Sequence, residues 1–276
     1  MTMTAPLRRV FVRRPGGVER WREFGWRSAP DPVRIVEEHE ALVAALETAG
    51  AEVVVGEPLD SALDAIYVHD PAAVTSSGAV LLRPGKKLRQ VEVDAIERDF
   101  RAAGIDVLAR LEAPATAEGG DMLWLDAQTL VVGRGYRTND AGVDALRSAL
   151  PDVDVIAVDL PHYHGRDEVM HLLSLISPLA DDLALVYLQL MPVRLVELLE
   201  QRGVAFVEVP DDEFESMACN VLALAPRVAL ALDGNPATRR RLEAAAVDVV
   251  VYSGEELSRK GNGGPTCLTR PLNRTA

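Results

Sequence analysis

The chain has 276 residues, 48% of them hydrophobic, with 42 acidic against 29 basic residues and a formal net charge of −13. That length and apolar content suffice for a sizeable buried core, and the negative balance repels phosphate backbones, which argues against a nucleic-acid partner. No run approaches the roughly 20 apolar residues that span a bilayer, since the longest, Val221 to Leu232, is broken by Pro226 and Arg227. Met1 to Arg9 carries no apolar signal core. The two cysteines, Cys219 and Cys267, form neither a metal pattern nor a disulfide framework, so a reducing cytoplasm is the expected compartment.

The predicted elements form a repeat of type rather than of identity. After a first strand at Val10 to Arg13, an amphipathic helix is predicted over Glu37 to Ala49, and Gly50 ends it before the strand Glu52-Val-Val-Val55. The same sequence of events recurs four times. Val91 to Ala103 leads through Gly104 to Val107 and Leu108, and Ala141 to Leu150 leads to Asp152 to Val158. Pro192 to Arg202 leads through Gly203 to Val209, and Pro236 to Ala245 leads to Ala246 to Tyr252. In the fourth helix Val193, Val196 and Leu199 share one face, with Glu197, Glu200 and Gln201 beside or opposite it. Glycine at a helix end permits the left-handed turn that stops it, and Val- and Ile-rich runs suit a buried sheet. Further strands are predicted at Ala79 to Leu82, Met122 to Leu125, Thr129 to Val132, Leu183 to Leu188 and Val228 to Leu232. Five units of roughly 50 residues, with no Pro-, Ser- or Gly-rich linker between them, predict an α/β fold of five pseudo-symmetric repeats closed into a ring. Residues 1–276 then form a single domain. The first strand completes the last unit and closes the ring.

The loop after each helix–strand pair carries the chemically distinctive residue of its unit. These loops hold Tyr67-Val-His-Asp70-Pro71, Glu118-Gly-Gly-Asp121, Met170-His171-Leu-Leu-Ser174, Cys219-Asn220 and Gly263-Gly-Pro-Thr-Cys267. In a closed ring equivalent loops face one axis, so Asp70, Glu118, His171, Asn220 and Cys267 are expected to meet. A thiolate is a strong nucleophile, and an imidazole carries protons to a leaving group and from a water. Two carboxylates beside them suit a planar cation, because a guanidinium offers its N–H donors in a fork that matches carboxylate oxygens. Each piece alone has an ordinary explanation: an inert buried Cys, a core His, a Gly-Gly-Asp turn. Their shared phase in the repeat is what joins them. His162 and His164 stand two apart on a loop without further ligands, which is poor evidence for a metal site, and neither a metal nor a cofactor is expected.

These ordered motifs, Asp-Pro, Glu-Gly-Gly-Asp, His-Leu and Gly-Gly-x-x-Cys, resemble those of the guanidino-group-modifying enzymes. That group includes dimethylarginine dimethylaminohydrolase, arginine deiminase and glycine amidinotransferase. The resemblance runs from Val12-Arg13-Arg14-Pro15 to Cys267-Leu-Thr-Arg-Pro-Leu272. It implies a five-bladed α/β propeller, Cys267 as nucleophile through a thiouronium-type intermediate, and His171 as general acid/base. It also implies that Glu118 and Asp70 hold the guanidinium, and that Arg89 and Arg137 bind the substrate α-carboxylate. Asn220 joins the substrate-binding set by its axial place. The loop Val18 to Arg27, with Trp21, Phe24 and Trp26, resembles a substrate lid, and its aromatics either gate the site or pack on the propeller mouth. A homodimer is compatible with this family.

Arginine deiminases and amidinotransferases carry an Asp two residues after this His, where the chain has Leu173. That departure leans toward the dimethylaminohydrolase branch, although Lys is common there. The leading expectation is hydrolysis of an Nω-methylated arginine to citrulline and a methylamine. Deimination of arginine, amidino transfer and a non-catalytic propeller are the alternatives. Asp121 is expected to orient the Glu118 loop through backbone bonds, leaving Asp70 to face the ligand.

Overall fold

The computed structural model describes residues 2–166 and 170–275. Five three-stranded sheets share one build: an inner strand runs antiparallel to a middle strand, and the middle strand pairs in parallel with an outer strand reached through a helix. The first blade in chain order joins β3 (Ala72–Thr75), β4 (Gly78–Leu81) and β5 (Val107–Arg110) through α2 (Glu92–Ala102). The second joins β6 (Met122–Trp124), β7 (Thr129–Arg134) and β8 (Asp154–Asp159) through α3 (Asp140–Ala149). In the third, β9 (Ile176–Ala180), β10 (Leu183–Val186) and β11 (Ala205–Glu208) are linked by α4 (Val193–Gln201), and the short α5 (Asp211–Phe214) follows. The fourth contains β12 (Leu222–Ala225), β13 (Val228–Leu232) and β14 (Asp248–Tyr252) with α6 (Pro236–Ala244).

The fifth blade uses both ends of the chain. Strand β15 (Arg270–Arg274) pairs antiparallel with β1 (Leu7–Arg13), and β1 pairs in parallel with β2 (Glu52–Gly56) across α1 (Arg34–Thr48). The expected closure by the first strand is therefore realised, and its partner is a strand that the sequence did not reveal. A strand, a helical crossover and a parallel strand repeat because each helix is amphipathic and needs a sheet to cover. In α3 the buried Val143 and Leu146 meet Leu130, Val132 and Val155 of the sheet. Asn139 caps this helix, its side chain accepting from the Gly142 N–H at 2.8 Å.

The turn that ends four of the five crossover helices shows how local chemistry fixes this repeat. Gly50, Gly104 and Gly203 adopt φ of 89°, 75° and 73°, in the left-handed region. The equivalent residue of the last unit is Ala246, at φ 58°, where a Cβ crowds the following carbonyl. We expect Ala246→Gly to stabilise the protein by up to about 1 kcal/mol, seen as a higher urea midpoint with an unchanged slope.

Candidate active site

The loops between outer and inner strands converge on one end of the ring axis. Glycine makes this possible at two points. The Glu118-Gly-Gly-Asp121 turn passes between the Asp70 loop and the His171 ring, so a Cβ at Gly119 would press on the His69 carbonyl and one at Gly120 on the imidazole. Gly119 and Gly120 then donate to the Asp70 carbonyl and to Asp70 Oδ1, both at 3.0 Å. Before Cys267, a Cβ at Gly263 would meet the Tyr67 ring and one at Gly264 the Asn220 side chain.

The imidazole Nε2 of His171 lies 2.7 Å from Glu118 Oε2, and Nδ1 lies 3.9 Å from Asp70 Oδ1. Arg137 Nη1 donates to both Glu118 oxygens at 3.2 Å. Asn220 Nδ2 donates to Cys267 Sγ at 3.3 Å, while Asn220 Oδ1 accepts from the Thr266 N–H at 3.0 Å. The His69 N–H donates to the Cys267 carbonyl at 3.2 Å, tying the first and last loops together. Cys267, His171, Asp70, Arg89 and Arg137 line a common cavity of about 430 Å³, together with Asp64, Tyr67, Lys86, Phe24 and Gly25.

Burial sets the charge state of this cluster, and neighbours modify it. Burial drives the His171 imidazole toward neutrality, but the charges of Asp70, Asp121 and Glu118 outweigh it and raise its pKa to about 9. Burial also works to raise Glu118, yet the hydrogen bond from His171 and the charge of Arg137 hold this carboxyl well below its usual range. Burial, then the charge of Asp70, pushes the Cys267 thiol up to about 11, against hydrogen bonds from Asn220 and the Gly264 backbone. At neutral pH the site therefore pairs a neutral thiol with an imidazolium. The Asp121 side chain reaches the His171 loop and Thr138 rather than the backbone of the Glu118 turn. Fully buried, it accepts from the Leu172 N–H at 3.1 Å and from the Thr138 hydroxyl at 2.6 Å, and burial raises its carboxyl to about 7.

Two expected contacts take a different form. Arg89 does not present a free guanidinium to a substrate carboxylate. It lies buried beneath Asp70, paired with Asp70 and with Glu92 at 2.8 Å, and donates to the Tyr67 carbonyl at 2.9 Å. Its donors are occupied because two buried carboxylates need a counter-ion there, and Asp70 thereby points at the cavity. Removing one partner of such a network costs about 3–5 kcal/mol. Arg89→Leu is accordingly expected to lower the chemical-denaturation stability by that amount. Asn220 meets the thiol directly and faces an adjoining cavity with His171 and Cys267 rather than the main one.

Among the described residues, one set of potential metal ligands gathers, Asp70, Glu118 and His171. Their oxygens already accept from Arg89, Arg137, His171 and backbone N–H groups, which leaves the donor set suited to an organic cation. His162 and His164 diverge, His162 toward the Tyr136 hydroxyl at 2.9 Å and His164 toward Glu215 at 3.6 Å. Cys219 packs in the core with its Sγ 3.9 Å from the Leu185 carbonyl, and burial raises its thiol far above its usual value.

The loop 18–27 packs on the propeller mouth. Trp26 stacks on Tyr67 with ring centres 5.9 Å apart and donates to Asp64 Oδ1 at 2.8 Å, while the loop edges the cavity. Lys86 Nζ latches it, donating to the Phe24 carbonyl and to Asp64 Oδ2, each at 2.6 Å. Asp64, Tyr67 and Lys86 escaped the sequence reading. Asp64 and Tyr67 precede the Asp70-Pro71 turn by only a few residues, and their proximity to that motif was the available signal.

The family model described as "N,N dimethylarginine dimethylhydrolase, eukaryotic" matches residues 31–274. The N(G),N(G)-dimethylarginine dimethylaminohydrolase of Streptomyces coelicolor is 31% identical over 266 residues, 96% of each chain. A solved structure of the Pseudomonas aeruginosa dimethylaminohydrolase, a cysteine-to-serine variant complexed with citrulline, superposes with a TM-score of 0.79 at 25% identity, covering 96% of this chain and 98% of that one. The N-terminal domain of a cyanobacterial arginine dihydrolase shares the fold at a TM-score of 0.84 and 22% identity, covering 96% and 97%. The converging loops, the Cys267–His171–Glu118–Asp70 cluster and these likenesses agree: this chain belongs to the dimethylarginine dimethylaminohydrolase family, hydrolases of guanidino C–N bonds.

Proposed function

We propose that Cys267 attacks the central guanidinium carbon of an Nω-methylated arginine and that His171 manages the protons, giving citrulline and methylamine or dimethylamine. The observation that carries this reading is the placement of the Cys267 thiol, the His171 imidazole and the Asp70 carboxylate around one cavity of about 430 Å³, with Glu118 directly behind His171. The cationic guanidinium docks against Asp70 and Glu118, and its charge favours ionisation of the neighbouring thiol, whose proton leaves to solvent. The thiolate adds to the carbon, and the bond to the methylated nitrogen then breaks as that nitrogen takes the proton of the His171 imidazolium. A water next gives its proton to His171 and adds to the thiouronium carbon. The C–S bond breaks, Cys267 is released as thiolate, and the hydroxyl proton of the adduct passes to solvent or to the free amine, leaving citrulline. Arg137 and Lys86 place positive charge for the α-carboxylate, and Asp64 offers a carboxylate to the α-ammonium. Asn220 steadies the sulfur.

Leu173 favours hydrolysis of methylated arginine over deimination, because it is packed in the core and supplies no extra carboxylate to the guanidinium. The whole chain acts as one domain, and its two free thiols suit a reducing cytoplasm. Incubation with arginine, monomethylarginine and asymmetric dimethylarginine tests the reading. Citrulline with methylated amine from the methylated substrates supports it, whereas ammonia from arginine alone moves the activity to deimination. The ligand-free thiol should also show its elevated pKa. Alkylation of Cys267 by iodoacetamide is expected to accelerate with pH well beyond 9, toward an inflection near about 11, with no plateau near neutrality.

A further inference from the structure

We propose that a second cavity, on the ring axis beneath the active-site loops, binds a small, weakly hydrated monovalent anion such as chloride, with the Arg270 guanidinium as its anchor. The cavity lies on the other side of the same loops. It is lined by His69, Met122, Val221 and Thr266, immediate sequence neighbours of Asp70, Asp121, Asn220 and Cys267. Inner strands of all five blades wall it, and Thr2 and Met3 complete its lining. Its volume, about 40 Å³, exceeds what a single water needs and suits one ion of chloride size.

Two arginines of β15, Arg270 and Arg274, line this cavity. Arg270 is 8% exposed; its Nη2 donates to the His69 carbonyl, and its buried Nε has no hydrogen-bond partner. Arg274 is similarly buried and donates to the Ala5 and Ala223 carbonyls, each at 2.7 Å. Carbonyls satisfy donors but neutralise no charge. Among the described residues no carboxylate pairs with either guanidinium, although the charge of Asp70 reaches Arg270. Every other buried cation of this end of the ring has an acid: Arg89 has Asp70 and Glu92, Arg137 has Glu118, and His171 has Glu118. Burial lowers the Arg270 and Arg274 pKa values to about 9 and about 10, which still leaves both charged at neutral pH. A buried charge without a partner is costly, and an anion in the cavity against the Arg270 guanidinium supplies the missing charge. The remaining wall is largely apolar, with Ala73, Val74, Leu173 and Leu222. That lining suits a halide or nitrate better than a strongly hydrated dianion.

Bromide is the probe. Crystals of the wild-type protein soaked in sodium bromide should show an anomalous peak in this cavity beside the Arg270 guanidinium at the bromide edge. In solution, replacing methanesulfonate, too large for the cavity, by bromide at constant ionic strength should raise the thermal midpoint saturably by about 2–4 °C. Arg270→Gln should abolish the rise. Should that variant fail to fold, the wild-type peak and titration still decide the matter. No peak, or a peak with no saturable stabilisation, which marks an adventitious ion only, overturns the proposal.

Discussion

Replacing Cys267 by serine is expected to reduce citrulline formation by about 10⁴-fold or more while leaving the fold intact. The loss is this large because the reaction has no other nucleophile in reach. Cys219, the second thiol, lies in the apolar core and is held protonated by burial. A serine hydroxyl at position 267 keeps the donor from Asn220 occupied, so the protein should fold and still bind the guanidino substrate. Steady-state assay of released citrulline, with ligand-induced thermal shift as the control for binding, checks both halves. Undiminished turnover would remove the covalent step.

The second large effect belongs to His171. Its imidazolium supplies the proton that the departing amine needs, so His171→Gln should lower the rate by about 10²–10⁴-fold. Glutamine can still donate to Glu118, which separates proton transfer from positioning. A substrate analogue whose thiolate leaves without a proton, an S-alkylthiocitrulline, should therefore lose far less in the first step than a methylated arginine does. A purely structural role would slow both alike.

The same residue makes a stability prediction with a defined sign. The folded-state pKa of His171, about 9, stands above its unfolded value near 6.5. Its contribution is fully present below about pH 6.5 and is lost as pH rises through about 9. Wild type should lose a few kcal/mol across that window, and the glutamine variant should lose less, as read by denaturation midpoints at each pH.

The parts of the molecule with a strong period were legible in the sequence. The helix limits came within a few residues, and Val228–Leu232 was read to the residue, because helical amphipathicity and β-branched runs are local signals. Among the inner strands Met122–Trp124 was visible and the other four were not. β3 is Ala72-Ala-Val-Thr75, β9 contains Pro178, β12 is Leu222-Ala-Leu-Ala225, and β15 contains Pro271. They are short, rich in small residues or interrupted by proline, and their stability comes from the ring rather than from propensity. The site followed the same division. The four reactive side chains could be gathered from their shared phase in the repeat. The occupation of Arg89 by Asp70 and Glu92, and the latch of Lys86 on the Phe24 carbonyl, could not. Those contacts depend on how side chains reach within and between loops, up to 62 positions apart for Lys86 and Phe24, and an isolated arginine or lysine reads as surface charge.

Acid quench of the enzyme during turnover of asymmetric dimethylarginine, followed by mass spectrometry of the intact protein and its peptides, tests the covalent mechanism most directly. A transient mass increase equal to the substrate less dimethylamine is expected, carried by the Cys267 peptide and absent from Cys267→Ser. Turnover to citrulline with no adduct at any quench time, and with Cys267→Ser still active, would contradict that mechanism.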